Sequence, residues 1–287
     1  MTKPEPTHRP RRWSWRRAGA SGLFHVAAIV ISLAFVLPLV WMVSVSLRKT
    51  GLTLPHTIQW LPQEPQWQNY LRLFQILPMG RYFLNSLLIT ALGVPLSLLF
   101  GSWAGFAMSQ VGKRARRRLL AFTVILMMVP TTALWLARFV MFARLGQTNS
   151  YIPLLAPVLL GASPLLVLLF YWNFRRIPLE TFESARLDGA TPLLSWWHIA
   201  LPQARPTLAA AAMLAFIFFW NDFITPLLYL RSQRLYTLSI GLMQLQEMDK
   251  TNWPLVLAAA ALVTLPPLLI FLAVQRKFLN ESWLSGK

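Results

Sequence analysis

Glu183–Pro202 reads ESARLDGATPLLSWWHIALP and sits between two strongly apolar segments. Pro178 precedes it and predicts a helix start, with Glu180 and Glu183 in the first turns, where acids suit the positive helix end. Asp188-Gly189 predicts a corner, because glycine tolerates a left-handed backbone. Leu193, Leu194, Trp196, Trp197 and Ile199 then give a second short helix with an apolar face, which Pro202 is expected to halt. Spacing alone leaves two readings open. The stretch is either a rigid knob of two short helices or a connecting loop lying on a lipid surface through Trp196 and Trp197.

The flanking sequence is that of a membrane protein. Of 287 residues, 56% are hydrophobic and only 13% charged, well below the roughly 25% of a soluble domain. Six apolar spans are predicted, at about Leu23–Val43, Phe83–Met108, Leu119–Ala137, Ile152–Phe174, Leu208–Leu230 and Leu255–Val274. Each comes near the ~20 residues a helix needs to cross the hydrocarbon core. Alternating strand patterns are absent, which argues against a barrel. The expected fold class is all-α, a polytopic protein of six transmembrane helices. The absence of cysteine excludes disulfides, thiolate metal sites and a cysteine nucleophile.

The net charge of +18 suits either a nucleic-acid binder or a membrane protein with basic inner loops, and the hydropathy favours the second. With the N-terminus inside, 18 of the 27 basic residues fall on inner segments, including Lys113, Arg114, Arg116, Arg117 and Arg118. The expectation is therefore cytoplasmic N- and C-termini. The division runs as a basic tail 1–21, a first span 22–47, an outer loop 48–82, a core 83–279 with an inner loop at 178–204, and a short tail 280–287. The tail is read as disordered and the first span as an uncleaved helix, too long for a signal-peptide core. In the outer loop, LPQEPQWQNYLRLF predicts a turn and a short amphipathic helix, with Trp60, Trp67, Tyr70 and Phe74 as a membrane belt or a partner contact.

Within the spans, Gly101 and Gly105 lie four apart, the spacing that lets helices approach closely. Pro130, Pro157 and Pro164 predict kinked helices around a cavity. Asp222 is the one acid inside an apolar span. With Trp220 and Asn221 it either lines a solute path or gates it, or makes a structural bond to a neighbouring helix. His25 and His198 read as interfacial, and Met127, Met128 and Met141 as packing. No G-x4-G-K-[ST] loop is present, so the chain carries no site for ATP chemistry, and neither H-E-x-x-H nor G-x-S-x-G occurs.

Glu183-Ser184-Ala185, three residues, Gly189, nine residues, then Ile199-Ala200-Leu201-Pro202 resembles the EAA loop of ABC importer permeases. Ser184 stands where that signature has its first alanine. The longer IPLETFESARLDGATP resembles the sugar-importer permeases, as do Trp220-Asn221-Asp222-Phe223 and Pro226-Leu227. The likeness is closest to the second permease of a maltose-type importer. It implies that Glu183 meets a basic or amide group of a cytoplasmic ATPase, that Ser184 and Ala185 allow close approach, and that Gly189 makes the corner. Ile199 belongs to the same signature, and Leu201 and Pro202 set the angle to the fifth span. It further implies a homologous second permease subunit, two ATPase subunits, an extracytoplasmic solute-binding protein and a sugar substrate, with no cofactor and no nucleic acid. A polyol, sugar phosphate or other solute is the alternative within the superfamily, and an ATP-independent carrier the alternative outside it.

Overall fold

The computed structural model describes residues 15–51, 60, 62, 64–159 and 163–284, the side chains of 15–21 and 276–284 excepted. Every regular element among them is helical. α1 (Trp15–Ser46) is followed by the short α2 (Gln68–Ile76) and the long α3 (Met79–Gln110). Next come α4 (Lys113–Met128), a 3-10 turn at Thr131–Leu134, α5 (Trp135–Arg144), α6 (Ile152–Leu159) and α7 (Pro164–Phe174). α8 (Leu179–Leu187), α9 (Pro192–Ser195), a π-turn (Trp196–Ala200) and α10 (Leu201–Gln203) make up the polar-flanked segment. The chain closes with α11 (Arg205–Asn221), α12 (Ile224–Tyr229), α13 (Leu238–Met248) and α14 (Trp253–Leu284).

Four stretches are long and apolar enough to cross a membrane: Gly22–Ser46, Met79–Gln110, Ile152–Phe174 and Trp253–Gln275. Residues 160–162, inside the third of these, lie outside the described residues. Two more candidates are bent pairs, Lys113–Met128 with Thr131–Arg144 at 86°, and Pro192–Gln203 with Arg205–Asn221 at 87°. Four of the six predicted spans thus fall on single candidate stretches, and the third and fifth overlap the bent pairs.

The third span, expected as Leu119–Ala137, breaks at Val129-Pro130. Val129 is extended at φ −75°, ψ 115°, the conformation forced on a residue preceding proline. The fifth, expected as Leu208–Leu230, breaks at Asp222-Phe223. Pro226 has no N–H with which to bond the Asp222 carbonyl. The Ser239 hydroxyl donates to that carbonyl instead, at 2.9 Å. The orphan group at the break is therefore satisfied from another helix, as a broken span at membrane depth requires.

Helix boundaries also overrun the predicted tails. α1 starts at Trp15 and α14 continues to Leu284. Extending an established helix through Arg, Ala and Leu costs little once nucleation has been met. Residues 1–14 and 285–287 of the predicted tails lie outside the described residues.

α3 is the hub, packing on α7, α11, α6 and α13. Gly105 lies against the backbone of α7: a Cβ there would be 2.8 Å from the Val167 carbonyl oxygen, the Tyr171 nitrogen and the Phe170 Cβ. At Gly101 the nearest atom, the Leu166 Cβ, is 3.4 Å away. The small-residue pair thus serves α3–α7 packing. At one end of the bundle the Gly51 N–H donates to Asn252 Oδ1, Asn69 ties the carbonyls of Ser46 and Arg48, and the Tyr70 hydroxyl bonds Ser46. Trp60, Trp67 and Phe74 stay exposed there.

α13 had no counterpart in the sequence reading. It is set into the bundle with Leu238, Ile240, Gly241 and Leu245 buried. Its first N–H donates to Ser86 Oγ at 2.8 Å, and the Asn85 amide donates to the carbonyls of Arg234 and Tyr236. Asn85-Ser86, near the predicted start of the second span at Phe83, is therefore a docking point two turns inside α3.

Candidate functional site

α8–α10 form a compact projection at the end of the bundle where α3 and α7 finish. α8 ends in a paired-carbonyl cap. The Gly189 N–H donates to the Arg186 carbonyl at 3.0 Å and the Ala190 N–H to the Ala185 carbonyl at 2.8 Å. This is the Schellman arrangement, which needs a left-handed residue at its corner. Gly189 supplies it at φ +85°. Thr191 then caps α9, its Oγ1 accepting from the Leu194 N–H at 3.3 Å, and Pro192 occupies the first turn, where no N–H is needed.

Pro202 does not halt the second helix. The Leu201 N–H reaches back five residues to the Trp196 carbonyl, and this wide turn absorbs the proline. The chain turns two residues later, at Ala204 (φ −95°, ψ 13°), into α11.

Two aromatic side chains hold the projection. Phe182 is the buried residue of α8, and its ring lies edge-on to Phe106 at 5.7 Å. Phe106 in turn meets Phe174 at 5.8 Å, which stacks on Phe170. Trp196 is buried against Trp103 at 5.6 Å. Trp103 and Phe106 are three apart on α3, hence on one face. Both helices of the projection are therefore seated on a single helix of the bundle. A weaker strut runs from the Arg186 guanidinium to Gln110 Oε1 at 3.4 Å.

The sequence reading placed the apolar face at Leu193–Ile199 and passed over Phe182, Phe106 and Trp103. The available signal was Phe182 itself, the one aromatic residue of α8. Of the marked residues, Glu183, Ser184, Gly189 and Pro202 are exposed, and Ala185, Ile199 and Leu201 are partly buried. Beside them Leu187 is 90% exposed, with Trp197, Leu193 and Leu194 all above half. His198 Nδ1 lies 3.3 Å from the Leu194 carbonyl oxygen, within α9 and its π-turn.

The second marked group splits. Trp220 is buried, stacked on Phe216 at 5.6 Å and edge-on to Phe83, and its indole N–H donates to the Val263 carbonyl of α14 at 2.9 Å. Asn221 and Asp222 instead line a cleft of about 580 Å³ with Thr131, Trp135, Arg138 and Thr225. Asp222 Oδ1 accepts the Thr225 N–H at 3.1 Å, restarting the helix as α12. Both broken spans open onto this cleft. Among the described residues no group of three or more His, Cys, Asp or Glu is placed to hold a metal.

A bundle of kinked apolar helices with a packed projection at one end and, at its breaks, a largely apolar cleft carrying a few polar side chains defines a multi-pass membrane transport subunit. The profile of the family described as binding-protein-dependent transport system inner membrane component matches residues 97–280, and the chain belongs to that family. It is 31% identical over 246 residues to the arabinooligosaccharides transport system permease protein AraQ of Halalkalibacterium halodurans, covering 85% of each chain. It is 28% identical to the lactose transport system permease protein LacG of Rhizobium radiobacter, over 88% of this chain and 92% of the other. In fold it is similar to a chain of a bacterial ABC transporter involved in the import of the acidic polysaccharide alginate, with TM-score 0.75, 22% identity, and coverage of 94% and 100%.

Proposed function

We propose that the chain is one of two homologous membrane subunits of an ATP-driven importer for a sugar or oligosaccharide, and that residues 178–204 couple it to a nucleotide-hydrolysing partner. The carrying observation is the projection: a stiff, capped element, anchored on α3 by Phe182 and Trp196, that leaves Leu187, Leu193, Leu194 and Trp197 bare beside Glu183 and Ser184. A contiguous exposed apolar patch with a polar rim marks a protein contact. A seated lever transmits a small shift because packed contacts move as units rather than yielding.

In this reading Glu183, Ser184, Ala185 and Gly189 face the ATPase, while Ile199, Leu201 and Pro202 carry its movement to α11. The projection end is cytoplasmic together with both termini, two ATPase subunits sit beneath the paired permeases, and an extracytoplasmic binding protein delivers the solute. The relatives named for arabinooligosaccharides and lactose support a sugar as that solute. Asn221 and Asp222 border the solute path, and Trp220 acts behind it, fixing α11 to α14 during gating.

The test is uptake of radiolabelled oligosaccharide into vesicles holding the full assembly. Uptake is expected to require ATP and to fall severalfold in Gly189→Ala. The added methyl meets nothing within 4 Å, so the variant isolates the backbone cost of a left-handed alanine, about 1–2 kcal/mol. Uptake that ignores both ATP and Gly189 would instead identify a carrier driven from within this chain.

A further inference from the structure

The basic cluster at the start of α4 takes no part in the coupling reading. Arg114, Arg117 and Arg118, with Ala121, line a shallow cleft of about 360 Å³. They stand at i, i+3, i+4 and i+7, one stripe of the helix. None of the three makes an ion pair to a carboxylate among the described residues.

Their position is electrostatically the wrong one. α4 has no acid in its first turn and no side-chain cap, so uncapped N–H groups and a positive helix end add to the field of the guanidinium groups. Lys113 and Arg116 raise it further. An anion in this cleft would relieve the repulsion.

The same stripe says what kind of anion. Beyond Ala121 it runs on through Phe122, Ile125 and Met128, all exposed, until the helix breaks at Val129-Pro130. From Arg118 to Met128 is ten residues, about 15 Å of helix. That is close to one leaflet's half of a hydrocarbon core roughly 30 Å thick. A cationic cleft over an apolar strip one leaflet deep matches a head group joined to acyl chains.

We propose that the α4 stripe is a binding site for a single anionic phospholipid, with the phosphate held by Arg114, Arg117 and Arg118 and the chains laid along Phe122, Ile125 and Met128. The site is separate from the projection, and its test does not depend on coupling.

The assembly is purified in detergent with added phosphatidylglycerol or phosphatidylcholine, and lipid retained by this subunit is counted by native mass spectrometry. Phosphatidylglycerol is expected to be retained over phosphatidylcholine, with R114Q/R117Q/R118Q lowering that retention at least about tenfold, since each cation near an anionic surface contributes comparably. The corresponding triple Arg→Lys variant should retain the lipid within about threefold. Because loss of three charges can disturb insertion, Ala121→Trp serves as a second variant that blocks the cleft with every charge in place, and it too should lose the lipid.

Equal retention of both lipids, or unchanged retention in both the Gln and Trp variants, would overturn the proposal. So would complete displacement by millimolar inorganic phosphate, which would mark a free-phosphate site. Loss of another subunit with phosphatidylglycerol still bound would mark a protein contact and overturn it equally.

Discussion

Phe182→Ala is expected to cut ATP-driven uptake by an order of magnitude or more while leaving the chain inserted and the bundle folded. Phe182 is the one buried residue of the nine in α8. Truncating a buried phenylalanine costs roughly 3–5 kcal/mol, more than a short isolated helix holds by itself. The loss falls on the seat of the projection and not on α3–α7, where Phe106 keeps its contact with Phe174 and Phe174 its stack on Phe170. A loosened α8 absorbs displacement that a seated one passes on. ATP hydrolysis by the partner should therefore continue without matching transport. Phe182→Leu, which refills most of the space, should restore most of the uptake. Full transport in the alanine variant would show that α8 is not the lever.

Gly105→Ala is expected to destabilise the bundle far more than Gly101→Ala, one turn earlier on α3. Three atoms of α7 lie 2.8 Å from the position of its Cβ, and two of them are backbone, the Val167 carbonyl oxygen and the Tyr171 nitrogen. Backbone cannot rotate aside, so the two helices must separate along the largest interface of the fold. Overpacking of this kind costs about 1–3 kcal/mol, against a gain of up to about 1 kcal/mol in helix propensity. Gly101→Ala meets only the Leu166 Cβ at 3.4 Å, so its propensity gain nearly balances the contact. Thermal unfolding in detergent should place Gly105→Ala clearly below the parent and Gly101→Ala close to it. Equal Tm values would mean that α3 and α7 are less closely packed than described.

The parts of the structure readable from the sequence were those set by local chemistry. The six apolar segments, the corner at Gly189, the helix inside LPQEPQWQNYLRLF and the Gly101–Gly105 interface follow from composition, left-handed backbone or fixed spacing. What escaped depends on contacts far along the chain. α13 is recessed because Ser86 accepts its first N–H and Asn85 holds the carbonyl of Tyr236 just before it, both some 150 residues earlier. The fifth span can break because Ser239 reaches the Asp222 carbonyl. Trp220 looked like a path residue beside Asn221 and Asp222, yet one helical step of 100° turns it into α14. Pro202 was read as a stop because a normal α-turn would lose a bond there, and the five-residue turn from Trp196 to Leu201 was invisible in composition. In the projection the motif's spacing was legible, but its anchors, Trp103 and Phe106, lie about 80 residues upstream.

The central claim is that a nucleotide-hydrolysing subunit sits against the α8–α10 projection. The chain has no cysteine, so a single one can be placed at will. Leu193→Cys puts it on the exposed face of the projection, and Leu145→Cys, 62% exposed just past α5, puts it at the far end of the bundle. After mild oxidation of the assembly carrying one cysteine in the ATPase surface, the account predicts a cross-linked pair from position 193 whose yield changes when ATP is bound, and none from position 145. No cross-link from any exposed position of the projection, or the same yield from both ends, would contradict it.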